Sequence, residues 1–198
     1  MNHLAHAWLA GPDPAHVVGS LLGDFWRGAP DPAWPRALAD GVRLHRHIDT
    51  YTDSHGAVVG ARALFEPPYR RYAGILLDVW FDHLLARDFE RLAGVPLRAF
   101  ADRTYATLAG LDPSLPAPFL LFVDRLAGND GLVAYVERDN LWFVFERIAA
   151  RLARENPVAL SVPVLEALER PLERAFAALW PELERFAAAE RERLQAAA

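Results

Sequence analysis

The chain has 198 residues, 53% of them hydrophobic, and a formal net charge of −5; this predicts one globular domain over residues 1–198 and argues against disorder and nucleic-acid binding. The absence of cysteine excludes a disulfide scaffold, a thiolate zinc site and a cysteine nucleophile. With no recognisable signal sequence and no apolar run long enough for a membrane span, we expect a cytoplasmic protein without a membrane partner.

Helical spacing of apolar residues dominates the chain, and no segment shows the alternation that is typical of a strand. Segments rich in proline and glycine separate the predicted helices, and Asn2 and Asp13 are suitable N-terminal caps. Helices are predicted at residues 2–10, 13–26, 35–53, 56–65, 69–92, 96–108, 119–126, 139–154 and 164–195, with kinks or breaks at Pro171 and Pro181. The sequence therefore predicts an all-α fold, a single-domain irregular helical bundle.

The predicted helix at residues 69–92 carries three polar residues, Asp78, Asp82 and His83, within an apolar run. Asp78 and Asp82 share one face with large apolar side chains, and His83 lies about 100° round the helix from Asp82. Ionised carboxylates rarely enter a core without a compensating partner. The pattern indicates either a metal site lined by this helix, or aspartates paired with arginines beside an ordinary core histidine.

A second polar pair lies in the helix at residues 35–53. His45 and Asp49 are four residues apart and share a face, which fits either two ligands of one ion or a local pair on a solvated surface. Asp24 ends the preceding apolar helix, where it either joins the same site or pairs with Arg27.

Small residues at Gly19, Ser20 and Gly23 would permit a neighbouring helix to approach closely. His6 is alone in a short apolar helix, and taken in isolation it is best interpreted as a core histidine whose hydrogen bonds are satisfied.

Histidine and aspartate supply all of these candidate groups. Oxygen and nitrogen ligands without sulfur suit Mn²⁺, Mg²⁺, Fe²⁺ or Zn²⁺. Such ions promote attack on phosphate esters, so His/Asp groups on helices indicate phosphate-ester hydrolysis. All 21 basic residues are arginine, which excludes a lysine Schiff base and a P-loop lysine.

Four segments together resemble the motifs of bacterial acyl carrier protein phosphodiesterases: residues 1–6, 19–25, 45–49 and 77–84. Their order and spacing match that family, most strongly over the first half of the chain. The resemblance implies a fold similar to HD-type metal phosphohydrolases and a divalent metal, Mn²⁺ in particular. It also implies hydrolysis of the phosphodiester that joins 4′-phosphopantetheine to a serine of acyl carrier protein, which converts the holo- to the apo-protein.

The resemblance further implies roles for particular residues. The expected metal ligands are Asp24, His45, Asp82 and His83. The expected alternative ligands, or partners of the ligands, are His6, Asp49 and Asp78. The expected catalytic residues are Asp24, His45, Arg46, Asp78, Asp82 and His83. Among these, Arg46 would neutralise charge on the phosphoryl oxygens, and a histidine of the site would protonate the seryl leaving group.

Carrier proteins are acidic, so the substrate-binding surface is expected to be locally basic. The candidate arginines are Arg43, Arg62, Arg70 and Arg71, although an adjacent arginine pair at a helix start is also compatible with simple solvation. Two other functions stay open: an HD-like phosphohydrolase of nucleotides or small phosphoesters, and a non-catalytic helical module that binds the carrier protein. Metal content discriminates the binding module, which needs no stoichiometric ion.

Overall fold

The structure is a computed structural model that describes residues 1–197, and eleven α-helices form within that range. They are α1 His3–Leu9, α2 Pro14–Leu22, α3 Arg36–Ser54, α4 Gly56–Ala63, α5 Ala73–Arg87, α6 Phe89–Ala93, α7 Leu97–Leu108, α8 Ala117–Gly128, α9 Arg138–Ala149, α10 Val162–Ala167 and α11 Glu169–Ala196. Short 3₁₀ turns lie at Gly23–Phe25, Arg70–Tyr72, Ala134–Val136 and Val158–Leu160. The described residues contain no strand, so the predicted all-α class is confirmed.

α5 lies at the centre of the core. Eleven of its fifteen residues are buried, so nearly every face of this helix contacts other elements. Trp80, Phe81 and Leu84 are each almost fully enclosed, and they belong to the cluster of buried apolar side chains that holds the helices together. Between residues 1 and 197, no helix is both long and apolar enough to cross a membrane.

α2 and α3 cross at unusually close range because glycines face each other. A Cβ atom added to Gly19 would lie 2.2 Å from the carbonyl oxygen of Leu38, and one added to Gly41 would lie 2.5 Å from that of His16. Only hydrogen fits at these two positions. The prediction that small residues permit a close helix approach is confirmed, and the crossing brings the C-terminal end of α2 against the middle of α3.

Several predicted helix boundaries were wrong. α2 ends at Leu22, because the chain tightens into the 3₁₀ turn at Gly23–Phe25 instead of continuing to Trp26. The long helix predicted for residues 69–92 is divided, since Asp88 leaves helical geometry between α5 and α6.

The segment predicted as one C-terminal helix is interrupted at Leu168, three residues before Pro171, where α10 ends and α11 begins. The second helix, α11, departs from the predicted break at Pro181. It continues through Pro181 without ending, because the buried side chains of Leu179, Trp180 and Leu183 hold it against the core. Pro171 lies in its first turn, where the missing N–H group has no intrahelical partner to lose.

Candidate metal centre

α1 is positioned by a carboxylate on another helix. Asp82 of α5 is fully buried and accepts backbone N–H bonds from Asn2 at 3.3 Å, Leu4 at 2.7 Å and Ala5 at 3.3 Å. These donors are among the N–H groups that a helix leaves unpaired at its start. Asn2 occupies the predicted N-cap position, but its side chain does not cap the helix and instead donates to the hydroxyl of Tyr135 at 2.8 Å.

Two further polar residues of α5, Asp78 and His83, also contact the chain itself. Asp78 accepts a hydrogen bond from the N-terminal amino group of Met1 at 3.0 Å. The Nδ1 of His83 lies 2.8 Å from the carbonyl oxygen of Tyr135, which requires the Nδ1–H tautomer to donate. Neither residue pairs with an arginine in the described chain.

Two buried histidines and one aspartate converge beside α1. The Nε2 atom of His6 lies 3.0 Å from one carboxylate oxygen of Asp49, and the Nε2 atom of His45 lies 3.1 Å from the other. The two imidazole rings stack, with 3.9 Å between their centroids. Each residue offers a ligand atom within 4.8 Å of the others. We call these three residues, His6, His45 and Asp49, the triad.

Asp24 extends the triad from the 3₁₀ turn that follows α2. Its Oδ1 atom lies 3.4 Å from the Nε2 of His45, so that nitrogen faces two carboxylates. Gly23 permits this approach, since a Cβ there would lie 2.3 Å from the ring of His45. Asp24 is half exposed, which leaves its carboxylate open to a ligand from solvent.

The structure brings two of the four predicted ligands into direct contact, and a shared ion with the other two stays a prediction. Asp24 and His45 lie together, joined by His6 and Asp49, which were predicted as alternative ligands. Asp82 and His83 lie outside the triad: both oxygens of Asp82 accept backbone N–H bonds at the start of α1, and the Nδ1 of His83 contacts Tyr135, while its Nε2 has no partner in the described chain.

Sequence reasoning did not identify His3. Its Nδ1 atom lies 3.9 Å from the Oδ2 atom of Asp24, and its ring contacts Phe122 of α8. The available signal was its position three residues before His6 in the same short helix, which places both on neighbouring turns.

Charge is distributed unevenly over the site. Burial alone would lower the pKa of His45, but its hydrogen bonds with Asp24 and Asp49 raise it to about 9. Burial opposes the ionised form of Asp24, yet contact with His45 lowers its pKa to about 2. The pKa of Asp49 is likewise lowered, against burial, by its bonds with His45 and His6. The metal-free site therefore holds an imidazolium between two carboxylates.

Of the remaining groups, His3 and His6 are neutral at pH 7, and the pKa of Asp82 lies near 7. Burial lowers the pKa of His6 to about 4 and that of His3 to about 4. Burial raises the pKa of Asp82 to about 7, although the three backbone N–H bonds favour its ionised form and oppose the shift.

The sequence model of one protein family, described as acyl carrier protein phosphodiesterase, matches residues 1–183. The chain belongs to this family. Curated relatives with the same name, from Enterobacter sp. (strain 638) and Salmonella agona (strain SL483), are each 34% identical over 184 residues, covering 92% of this chain and 95% of the relative. No solved structure gives a significant match. The family is named for an enzymatic activity, so this chain is an enzyme of the acyl carrier protein phosphodiesterase family.

In this phosphodiesterase family member, the triad can bind a divalent cation. Two imidazole nitrogens and a carboxylate form a donor set that Mn²⁺, Fe²⁺ and Zn²⁺ accept. Both histidines are buried, and their Nδ1 atoms have no hydrogen-bond partner in the described chain. The Nε2 atoms of both histidines face Asp49, and that of His45 also faces Asp24, so imidazole nitrogens and carboxylate oxygens converge at one place.

Two of the arginines with predicted roles already donate hydrogen bonds within the chain. Arg46 donates to the carbonyl oxygens of Gly28 at 2.6 Å and Trp26 at 2.8 Å, so its guanidinium holds the loop that follows Asp24. Arg43 donates to Asp40 at 2.7 Å.

Of the other predicted docking arginines, Arg62 is paired with Asp53. Arg70 and Arg71 have no ion pair among the described residues, and Arg71 lies over the ring of Tyr72. A role for these residues in docking stays a prediction.

Proposed function

We propose that this enzyme hydrolyses the phosphodiester between 4′-phosphopantetheine and a serine of an acyl carrier protein, and so converts the holo- to the apo-protein. The main support is the convergence of His6, His45 and Asp49 in a chain whose relatives are named for a carrier-protein phosphodiesterase. The proposed substrate implies that the enzyme acts in the cytoplasm. A relationship to HD-type phosphohydrolases, whose metal ligands are histidines and aspartates on helices, is part of the proposal.

The proposed ligands are the triad and Asp24, and the proposed ion is Mn²⁺, with Mg²⁺, Fe²⁺ or Zn²⁺ as alternatives. When bound, a divalent cation lowers the pKa of a coordinated water and polarises a phosphoryl oxygen. Asp49 contributes by orienting both imidazoles, because its two oxygens face one histidine each. Asp24 lies at the exposed edge of the site, where its carboxylate can orient an entering water molecule.

The seryl oxygen must receive a proton as it leaves. His3 is the site histidine whose ring is partly exposed, and it lies outside the triad. Burial lowers the pKa of His3 to about 4, so the ring must take a proton from solvent before it donates one, and the negative charge of an arriving phosphate favours this by raising the pKa. We therefore assign proton transfer to His3. Arg46 is assigned to fixing the loop after Asp24 instead of contacting phosphate, since two of its N–H groups already bind carbonyl oxygens.

The direct test is the mass of holo-acyl carrier protein after incubation with the enzyme and Mn²⁺. The expected result is loss of the mass of phosphopantetheine, prevented by a chelator and by Asp49→Asn. An unchanged mass with folded, metal-loaded enzyme would overturn the proposed function. Turnover of nucleotides alone would indicate a small-molecule phosphohydrolase, and carrier-protein binding without any metal content would indicate a binding module.

A further inference from the structure

A large cavity adjoins the candidate metal centre. Its volume is about 710 Å³, and it lies between α8 and α9 beside the N-terminal residues of α1. This size falls within the roughly 300–1,000 Å³ of small-molecule sites. The lining includes apolar side chains of both helices, among them Phe122, Leu126, Val144 and Ile148. The amide side chains of Asn2, Asn129 and Asn140 add polar groups to this apolar wall, and each already donates one N–H within the chain.

The cavity reaches the proposed proton donor, which connects it to Asp24. His3 lines it, and the same imidazole lies 3.9 Å from Asp24. Phe25, the residue after Asp24, is also part of the lining. A phosphodiester held beside Asp24 and His45 would therefore have one of its two substituents at the cavity entrance.

Exposed arginines and exposed apolar side chains lie together at the edge of the cavity. Arg125, Arg147 and Arg151 are exposed, and within residues 1–197 no carboxylate pairs with any of them. Two large apolar side chains are exposed at the same cavity, Leu121 at 49% and Phe143 at 64%. Exposed apolar groups next to unpaired arginines are typical of a protein-binding surface for an acidic partner.

We propose that this cavity holds the pantetheine arm of the carrier protein, while the three arginines at its edge contact the acidic body of that protein. The inference rests on the proposed function. Of the two substituents on the scissile phosphate, only the flexible arm is narrow enough to enter the cavity, so the folded carrier protein must stay outside. The arm is largely apolar with two amide groups, which fits an apolar wall that also carries asparagine side chains.

The test compares binding of holo- and apo-carrier protein, which differ by the pantetheine arm and the phosphate that joins it to serine. Calorimetry in a chelator prevents turnover. Wild-type enzyme should bind the holo form more tightly, and Val144→Trp, which fills the cavity, should reduce that preference by about tenfold or more. Val59→Trp is the matched control, since Val59 is an exposed valine on α4, away from the cavity.

A second pair of variants tests the edge. Arg147→Glu with Arg151→Glu should weaken binding of both holo and apo forms by about tenfold or more, because the contact is with the protein body. Arg70→Glu with Arg71→Glu makes the same change of charge at the other predicted surface and should weaken binding less. The reverse order of these two effects would overturn the assignment of the docking surface.

Hydrogen exchange in the wild-type enzyme gives an independent measurement should Val144→Trp fail to fold. Holo-carrier protein should protect residues 117–128 and 138–149 more than the apo form does. Equal binding and equal protection by the two forms would overturn the cavity assignment. If the same preparation cleaves holo-carrier protein, the proposed function stands even though the cavity assignment is wrong.

Discussion

The carboxylate of Asp82 accepts a hydrogen bond from the backbone N–H of Leu4 at 2.7 Å, and both groups are buried. Through this contact and those to Asn2 and Ala5, α5 determines where α1 begins. α1 carries both His3 and His6, so the position of the triad depends on a carboxylate that is not part of it.

Asp82→Asn should therefore act mainly on stability. An amide has one acceptor oxygen, so its NH₂ group would face a backbone N–H and leave buried donors unpaired. We expect the free energy of unfolding of the metal-free protein to fall by about 1–3 kcal/mol. The measurement is urea unfolding, with Asp124→Asn as control, since Asp124 is exposed on α8. Unchanged stability with loss of metal would instead support Asp82 as a ligand.

The sequence identified the polar residues more readily than their partners. Asp82 and His83 stand out because they occur in an apolar run, which predicts that something compensates them. Spacing along one helix does not specify whether that partner is an ion or, as in the structure, backbone groups of α1 and Tyr135. The same limit applies to His6, whose partner Asp49 lies 43 residues further along the chain.

The fold class was predictable because helical periodicity and proline or glycine breaks are local properties. Contacts between helices are not local. The sequence predicted that a neighbouring helix could approach closely at Gly19. It did not identify Gly41 of α3 as the residue that Gly19 faces. The crossing of α2 and α3 is what brings Asp24 to His45.

Asp49→Asn should remove the metal without unfolding the protein. The triad loses its carboxylate, and we expect the affinity for Mn²⁺ to fall by about two orders of magnitude, with a corresponding loss of turnover. Asp53→Asn is the matched control: Asp53 lies one turn further along α3, pairs with Arg62 and is outside the triad. Calorimetric titration with Mn²⁺ measures both variants. Equal affinities in the two would contradict the ligand assignment.

Gly23→Ala should damage the site through a single methyl group. Its Cβ would lie 2.3 Å from the ring of His45, so the ring or the turn must move. We expect a stability loss of about 1–3 kcal/mol together with weaker Mn²⁺ binding. Gly60→Ala is the control, because a Cβ there meets nothing within 4 Å and alanine should stabilise that helix by about 0.5–1 kcal/mol. Retention of full Mn²⁺ affinity in Gly23→Ala would show that the close contact with His45 is dispensable.

The pH dependence of stability should report the imidazolium of His45. Its pKa is about 9 in the folded metal-free protein, against an ordinary histidine pKa of 6.5. A raised folded-state pKa stabilises fully below pH 6.5, and the contribution is lost as pH rises through 9. The loss should be about 2–3 kcal/mol, allowing for screening by solvent at the half-exposed carboxylates. His45→Gln cannot titrate, and all other ionisable groups are common to both proteins. The difference in unfolding free energy between wild type and His45→Gln should therefore shrink from pH 6 to pH 10. A constant difference over that range would mean that His45 is not charged between Asp24 and Asp49.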